Sequence, residues 1–267
     1  MRRILLHPGF HKTGTSSIQH FLWANRAALA PALRPVMLRH LKPVNRACCR
    51  YSRSLNPVEL IDIAADMDAA LAAAEVDAKC DILVSCEGLA GHLPGFPKVA
   101  DYEAATLSIG TVAAFLQDRF PDAALQILLT TRDPDGWLWS AWRHHLQGRR
   151  MTEGFDAFAA RIRPAADLDA MAARIAEAVA PLPVATLPLA EAKAHPQGPG
   201  GALLARAGLG PAVIARLDAV GVANAGPDDA VWEEFLTLNR SRLSDAAVKA
   251  RKEALIKAHK LGGWRRL

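Results

Sequence analysis

The chain has 267 residues, of which 51% are apolar and 22% charged, with 18 glycines and 17 prolines. This balance excludes collagen-like and disordered classes and allows a sizeable core in one domain. The formal charge is +5, yet residues 249–267 hold seven Lys/Arg against one Glu, leaving the remainder near −1; such a basic end fits either an anionic ligand or a solvated tail.

Ile4–Leu6 is a short apolar run that reads as a strand, followed by a loop over Gly9–Thr15. Ser16–Leu29 reads as a helix with Ile18, Phe21, Leu22 and Leu29 on one face. Pro31–Pro57 is rich in Arg and Pro, lacks periodicity, and reads as loop with short helices. Glu59–Lys79 is a helix by the spacing of Leu60, Ile63, Met67 and Leu71, and Asp81–Cys86 is a buried strand. The glycines and prolines of "EGLAGHLPGFP" make the next stretch a loop. Helix Tyr102–Arg119, strand Ala124–Arg132 and a helix from Asp133-Pro134 to about Gln147 follow, with Pro134 in the first turn.

Beyond Arg150 the pattern is mostly helical: Phe155–Arg163, Leu168–Val179, Ala202–Ala207, Ala212–Val220, Asp228–Asn239 and Ser244–His259. One more strand is expected at Val184–Leu187 and a loop at His195–Gly201. Strands separated by helices imply an α/β fold: a single domain, 1–267, with a central parallel sheet flanked by helices and a helical C-terminal portion. Cys48, Cys49, Cys80 and Cys86 form no C-x-x-C pair and no zinc spacing, so free thiols in a reducing compartment are expected. The apolar run before His7 is too short for a secretory leader, and no stretch approaches the roughly 18 apolar residues of a membrane span. The cytoplasm is the default expectation.

The segment "LLHPGFHKTGTSS" carries the first chemical signal. A triphosphate loop reads G-x-x-x-x-G-K-[ST]; here Gly9 and Gly14 keep the gap, but Thr15 follows Gly14 and the lysine is Lys12, inside the loop. Successive backbone N–H groups in such a loop, at a helix start, bind anion oxygens. Thr13, Thr15, Ser16 and Ser17 add hydroxyls, and Lys12 reaches from the side toward the atom linking two anionic groups. No Asp stands beside a Ser/Thr in a way that suggests magnesium, so no metal site is expected.

The pattern G-x-x-K-T-G-T-[ST]-[ST] resembles the 5′-phosphosulfate loop of the sulfotransferases that use 3′-phosphoadenosine 5′-phosphosulfate (PAPS). A second stretch, "LLTTRDPDGWLWSAWRHHL", has Arg132 at a strand end and Ser140 eight residues later, similar to that family's 3′-phosphate motif. An arginine there can grip phosphate bidentately. The resemblance covers these two segments and Asp81–Leu89. It implies a P-loop-like sulfotransferase fold, PAPS as donor, and a nucleotide site of Phe10, His11, Lys12, Thr13, Gly14, Thr15, Ser16, Ser17, Arg132 and Ser140. It also implies an acceptor that is a small molecule or saccharide with a hydroxyl or amine. At the C-terminus "HKLGGWRRL" is a shorter version of the family's basic, glycine-rich closing loop, in which Lys257, Lys260, Arg265 or Arg266 would complete the phosphate site.

Sulfuryl transfer needs a base for the acceptor and positive charge for the departing phosphate. Lys12 is the candidate for the second role. Glu87, after the strand Asp81–Cys86, is the candidate base, with His92 in the same loop as runner-up. His144 and His145 are adjacent on a helix and point about 100° apart, so one is expected to be packed and one exposed. Trp137, Trp139 and Trp142 read as core, and Asn224 as a turn residue. Two other readings remain open: a nucleotide kinase or hydrolase with an unusual loop, and a non-catalytic binder of anions or nucleic acid.

Overall fold

The computed structural model describes residues 1–30, 32–77, 80–220 and 227–263, with side chains up to His259. Five strands form one sheet: β1 (Arg3–His7), β2 (Leu33–Met37), β3 (Asp81–Ser85), β4 (Ala124–Thr131) and β5 (Val184–Pro188). Their order is β2-β3-β1-β4-β5 and every pairing is parallel. β1 is therefore central. It pairs with β3 in the register His7↔Ser85 and with β4 in the register Leu6↔Ile127.

Successive strand residues face opposite sides of a sheet, so a parallel sheet buried on both faces reads as a continuous apolar run. Ile4, Leu6, Val84, Ile127 and Leu129 enter the larger core. Leu5, Leu83, Leu128 and Leu187 enter the smaller one on the other face. The smaller core is closed by α1 (Thr15–Ala24), α2 (Arg26–Leu29), α9 (Leu189–Ala194), α10 (Gly198–Arg206) and α11 (Pro211–Ile214). The larger is closed by α3 (Lys42–Ser54), α4 (Ile63–Ala73), α5 (Ala105–Arg119), α6 (Pro134–Gly148), α7 (Phe155–Ile162), α8 (Leu168–Ala178) and α12 (Asp229–Arg240). A last helix, α13 (Asp245–Gly263), lies beyond α12. The result is a three-layer α/β domain with a helical C-terminal part, as the alternation of elements implies.

The segment Pro31–Pro57 departs from expectation. It holds strand β2 and the thirteen-residue helix α3 rather than loop. Pro35 hides the strand, since proline cannot donate to a ladder; β2 tolerates it because it is an edge strand. The buried positions of α3, Val44, Ala47, Cys48 and Tyr51, form a narrow apolar stripe, and the opposite face is Lys42, Arg46, Arg50 and Arg53. The expected helix Glu59–Lys79 is instead a turn of 3₁₀ helix (Pro57–Leu60) and then α4, which ends at Ala73; Ala78 and Lys79 lie outside the described residues. A second 3₁₀ turn, Glu87–Ala90, opens the glycine-rich loop after β3. α10 begins inside the expected loop at Gly198, and of Ala212–Val220 only the first turn is helical. All four cysteines are free thiols. Among the described residues no helix is long and apolar enough to cross a membrane.

Candidate active site

Three stretches far apart in sequence leave the carboxyl edge of the sheet side by side. β1 runs into the loop that ends at Gly14, β3 into Glu87, and β4 into Arg132. Because β1 lies between β3 and β4, the chain crosses to opposite sides on either side of it; ligands bind at such a switch point, outside the strand ends.

The loop is tight. Gly9, Lys12 and Gly14 have φ of 59°, 69° and 95°. A Cβ on Gly9 would lie 2.6 Å from Thr15 Cγ2 and 3.6 Å from Glu87 Cβ, so only glycine fits between the helix start and the β3 turn. Lys12 holds a left-handed conformation that costs a non-glycine residue on the order of 1 kcal/mol or more. Neighbouring elements hold the loop in this shape. The Trp137 indole N–H donates to the His11 carbonyl at 3.0 Å, and Arg132 donates to the Lys12 carbonyl at 3.2 Å. The His11 N–H donates to the Tyr102 hydroxyl at 3.2 Å.

Below the loop runs a buried polar chain across three strands. Ser85 Oγ lies 2.8 Å from His7 Nδ1, and His7 Nε2 lies 3.4 Å from Thr130 Oγ1. Thr130 Oγ1 is 2.6 Å from Thr13 Oγ1, which bonds the Phe10 carbonyl at 2.5 Å. All four side chains are buried. Burial pushes the His7 pKa down to about 4, so it serves as a neutral imidazole.

The first helical bond of α1 runs from the Ile18 N–H to the Gly14 carbonyl, 3.1 Å, and no side chain caps the helix. Its leading N–H groups have no intrahelical partner and face the loop. Two cations join them. The Lys12 pKa is lowered by burial and then by the Arg132 charge, while the Glu87 carboxylate opposes the shift. The Arg132 pKa is also lowered, by burial, with Asp133 opposing. Two nearby cations with depressed pKa values mark a place where an anion would be stabilising. Glu87 is half-buried and accepts from the Gln19 amide of α1 at 2.6 Å. The His11 pKa is pushed down to about 3 by burial and then by His144, His92, Lys12 and His145, so His11 can offer a hydrogen bond but not charge.

The expected nucleotide residues thus divide. Phe10 is fully buried against Tyr102, 4.8 Å between centroids, so only its main chain belongs to the loop. The Thr13 hydroxyl, expected among the ligand donors, is turned into the sheet, where Thr130 and Phe10 satisfy it. Thr15 is buried, whereas Ser16 is exposed and Ser17 half-exposed. Arg132 stands at the loop, and Ser140 lies half-buried on α6, about 12 Å further along at 1.5 Å per residue. His92 is stacked on Phe96 at 4.0 Å, and the Glu87 carboxylate accepts from Gln19 instead. His145 is buried and its Nε2–H donates to the Pro94 carbonyl at 2.8 Å, while His144 is exposed. Trp137 and Trp142 are core, and the half-buried Trp139 stacks on Trp142. Lys257 is exposed on α13 and, among the described residues, makes no bond to the loop or to Arg132. α13 continues through Gly263 where a loop from His259 was expected; Asn224, Arg265, Arg266 and the side chain of Lys260 lie outside the described residues.

Sequence reading missed Gln19, Tyr102, His7, Thr130 and the clamping role of Trp137. Only Trp137 had a signal, as an indole near the start of the Arg132 helix. The others act through contacts between distant segments.

Among the described residues no group of three or more His, Cys, Asp or Glu side chains is arranged to hold a metal ion. No family model matches the sequence, and no curated protein matches it. Among solved structures, a sulfotransferase from Alicyclobacillus acidocaldarius superimposes with a TM-score of 0.51 at 19% identity, covering 99% of this chain and 99% of that one. At that identity the likeness establishes architecture: the chain has a sulfotransferase-type α/β fold with a five-stranded parallel sheet.

Proposed function

We propose that this chain is a PAPS-dependent sulfotransferase, acting as one domain over 1–267 on a hydroxyl or amine of a small molecule or saccharide. The observation that carries the reading is the convergence of Lys12, Arg132 and Glu87 at the carboxyl ends of three adjacent strands, with an uncapped helix start between them. The residues fit the donor. Gly9 packs the loop closely against the start of α1 and the turn after β3, and the Arg132 charge adds to the lowering of the Lys12 pKa by burial. All four thiols are free, which suits a reducing, cytoplasmic setting.

The nucleotide would supply an activated sulfuryl group. The chain's own residues would do the rest. The N–H groups at the start of α1, with Ser16 and Ser17, would hold the 5′ end, and Arg132 with Ser140 the 3′-phosphate. Glu87, oriented by Gln19, would take the acceptor proton as the new O–S or N–S bond forms. Lys12 would meet the charge left on the phosphate oxygen when the old S–O bond breaks.

Calorimetry with 3′,5′-ADP and with ATP, each with and without magnesium, tests the donor reading. Tight, metal-independent binding of 3′,5′-ADP and poor binding of ATP are expected. Tight, magnesium-dependent ATP binding would instead favour a kinase or hydrolase. Anion binding that survives loss of both Lys12 and Arg132 would favour a non-catalytic binder.

A further inference from the structure

Beyond the nucleotide residues, the loop after Glu87 and the far end of α6 enclose a shallow groove of about 540 Å³. Phe96, Lys98, Arg149, Met151 and Arg161 are among its lining residues, and none of the lining side chains is acidic. Arg161 is neutralised by Glu153, which takes two bonds from it at 3.1 and 2.6 Å. The other cations have no such partner. Among the described residues no carboxylate pairs with Arg149, Lys98 or the neighbouring Arg53. Arg149 donates to the Gly95 carbonyl at 2.7 Å, and its Nε is buried with no hydrogen-bond partner.

Two of these cations meet at one half-buried ring beside the groove. The His92 imidazole stacks on Phe96 at 4.0 Å, with Arg149 Cζ 5.1 Å and Arg53 Cζ 5.7 Å from the same centroid. Cation–π contact offsets part of the mutual repulsion, and Arg149 also suits the C-terminus of α6, where the helix dipole favours a cation. Neither explains why Arg53 of α3 stands at the ring, and Lys98 of the loop lines the groove, without counter-charge. Repulsion shows on the imidazole: the His92 pKa is lowered by burial and then by Arg53 and Arg149.

The groove and the nucleotide loop are both tied to α6. α6 clamps the nucleotide loop through Trp137 and clamps the Gly91–Ala100 loop through His145 and Arg149. The latter loop begins just after Glu87. Arg149 lies about 13 Å along α6 from Ser140, at 1.5 Å per residue, so the cluster is separate from the 3′-phosphate residues. Resting on the sulfotransferase reading, we propose that Arg149, Lys98 and Arg53 form an acceptor subsite for an anionic group, so that the acceptor is an acidic molecule carrying a carboxylate or a sulfate or phosphate ester.

Calorimetry on the protein saturated with 3′,5′-ADP tests this, using phenyl glucuronide, phenyl glucoside and inorganic sulfate as probes. The first two differ in one carboxylate. We expect the glucuronide to bind at least ten-fold more tightly than the glucoside. Arg149→Gln is expected to remove that preference and Lys98→Gln to reduce it several-fold, with 3′,5′-ADP affinity unchanged in both. The His92 imidazole titration, followed by NMR, is expected to move to higher pH when glucuronide is bound. Equal or absent binding of the two sugars overturns the proposal, as does a preference that both variants retain. Inorganic sulfate binding as tightly as glucuronide makes the site one for a free ion and also overturns it. Should Arg149→Gln fail to fold, Lys98→Gln decides, because Lys98 is exposed. Loss of 3′,5′-ADP binding in the wild type, with the glucuronide preference kept, counts against the donor reading and leaves the subsite standing.

Discussion

The Gln19 side-chain amide donates to the Glu87 carboxylate across 2.6 Å, tying the second turn of α1 to the turn after β3. The bond holds one carboxylate oxygen and leaves the other for an acceptor. Glu87→Gln is expected to lower kcat by about 10²–10⁴, the range for loss of a general base. Gln19→Leu should lower it less, with KM nearly unchanged, since only orientation is lost. His92→Asn separates the two candidates for the base: turnover should stay within a few-fold of wild type. Steady-state kinetics decide. A His92→Asn enzyme as impaired as Glu87→Gln would reverse the assignment.

Lys12 combines a charge with a strained backbone. Lys12→Ala is expected to lower kcat by about 10²–10³, as for removal of one group stabilising developing charge. Lys12→Gly should lose turnover equally but melt at a higher temperature than Lys12→Ala, because glycine adopts the φ of 69° without strain. Thermal melts of the two variants check this. Equal melting would show that the loop relaxes when the lysine is removed.

Arg132 is placed to distinguish nucleotides by their 3′ end. Arg132→Ala should weaken 3′,5′-ADP by about ten- to a hundred-fold, matching the roughly 1.5–3 kcal/mol of a charged hydrogen-bond pair. Binding of 5′-AMP, which lacks the 3′-phosphate, should change only a few-fold. A uniform loss for both ligands would mean that Arg132 acts mainly through its bond to the Lys12 carbonyl.

His7 makes the fold acid-sensitive. Its folded pKa, about 4, lies below the ordinary 6.5. The unfolded chain therefore binds more protons between pH 6.5 and 4, and stability falls as pH falls through that window. The full shift corresponds to about 3 kcal/mol at 1.36 kcal/mol per unit. Denaturant midpoints at pH 7 and 4.5 should differ more for wild type than for His7→Gln. An identical pH dependence would exclude His7 as a cause.

Lys252 holds the C-terminal helix to α6. Its buried ammonium donates to the Leu146 and Arg149 carbonyls at 2.6 and 2.9 Å, satisfying the end of α6. Lys252→Met should cost about 1 kcal/mol in urea unfolding, the net loss of its hydrogen bonds, because the Asn239 amide still donates to both carbonyls. Binding of 3′,5′-ADP should be unaffected, because the nucleotide residues lie toward the other end of α6.

Local chemistry was readable where it was local. Gly9, Lys12 and Gly14 in one loop, and Asp133-Pro134 opening a helix after a strong apolar strand, speak for themselves. The Asp133 side chain accepts from the Gly136 N–H at 2.6 Å, the cap its sequence position suggests. β2 and α3 were not legible, because a strand proline and an arginine-rich helix face mask their periods. The inward turn of Thr13 was not legible either; a threonine beside a lysine in a phosphate-type loop looks like a ligand donor until Thr130 is seen beneath it.

Composition and alternation alone determined an α/β chain with four of its five strands at the right places and an anion loop near its start. They could do so because helix and strand periods, glycine turns and caps are properties of a few neighbouring residues. The tertiary structure decided the rest: that β1 lies between β3 and β4, and so brings Lys12, Glu87 and Arg132 to one edge. It also set Gln19 on Glu87, buried His7 as a neutral link between Ser85 and Thr130, and brought Arg53 and Arg149 to Phe96 beside the groove that Lys98 lines. Each of those depends on strand order and packing across tens to more than a hundred residues, which no local pattern encodes.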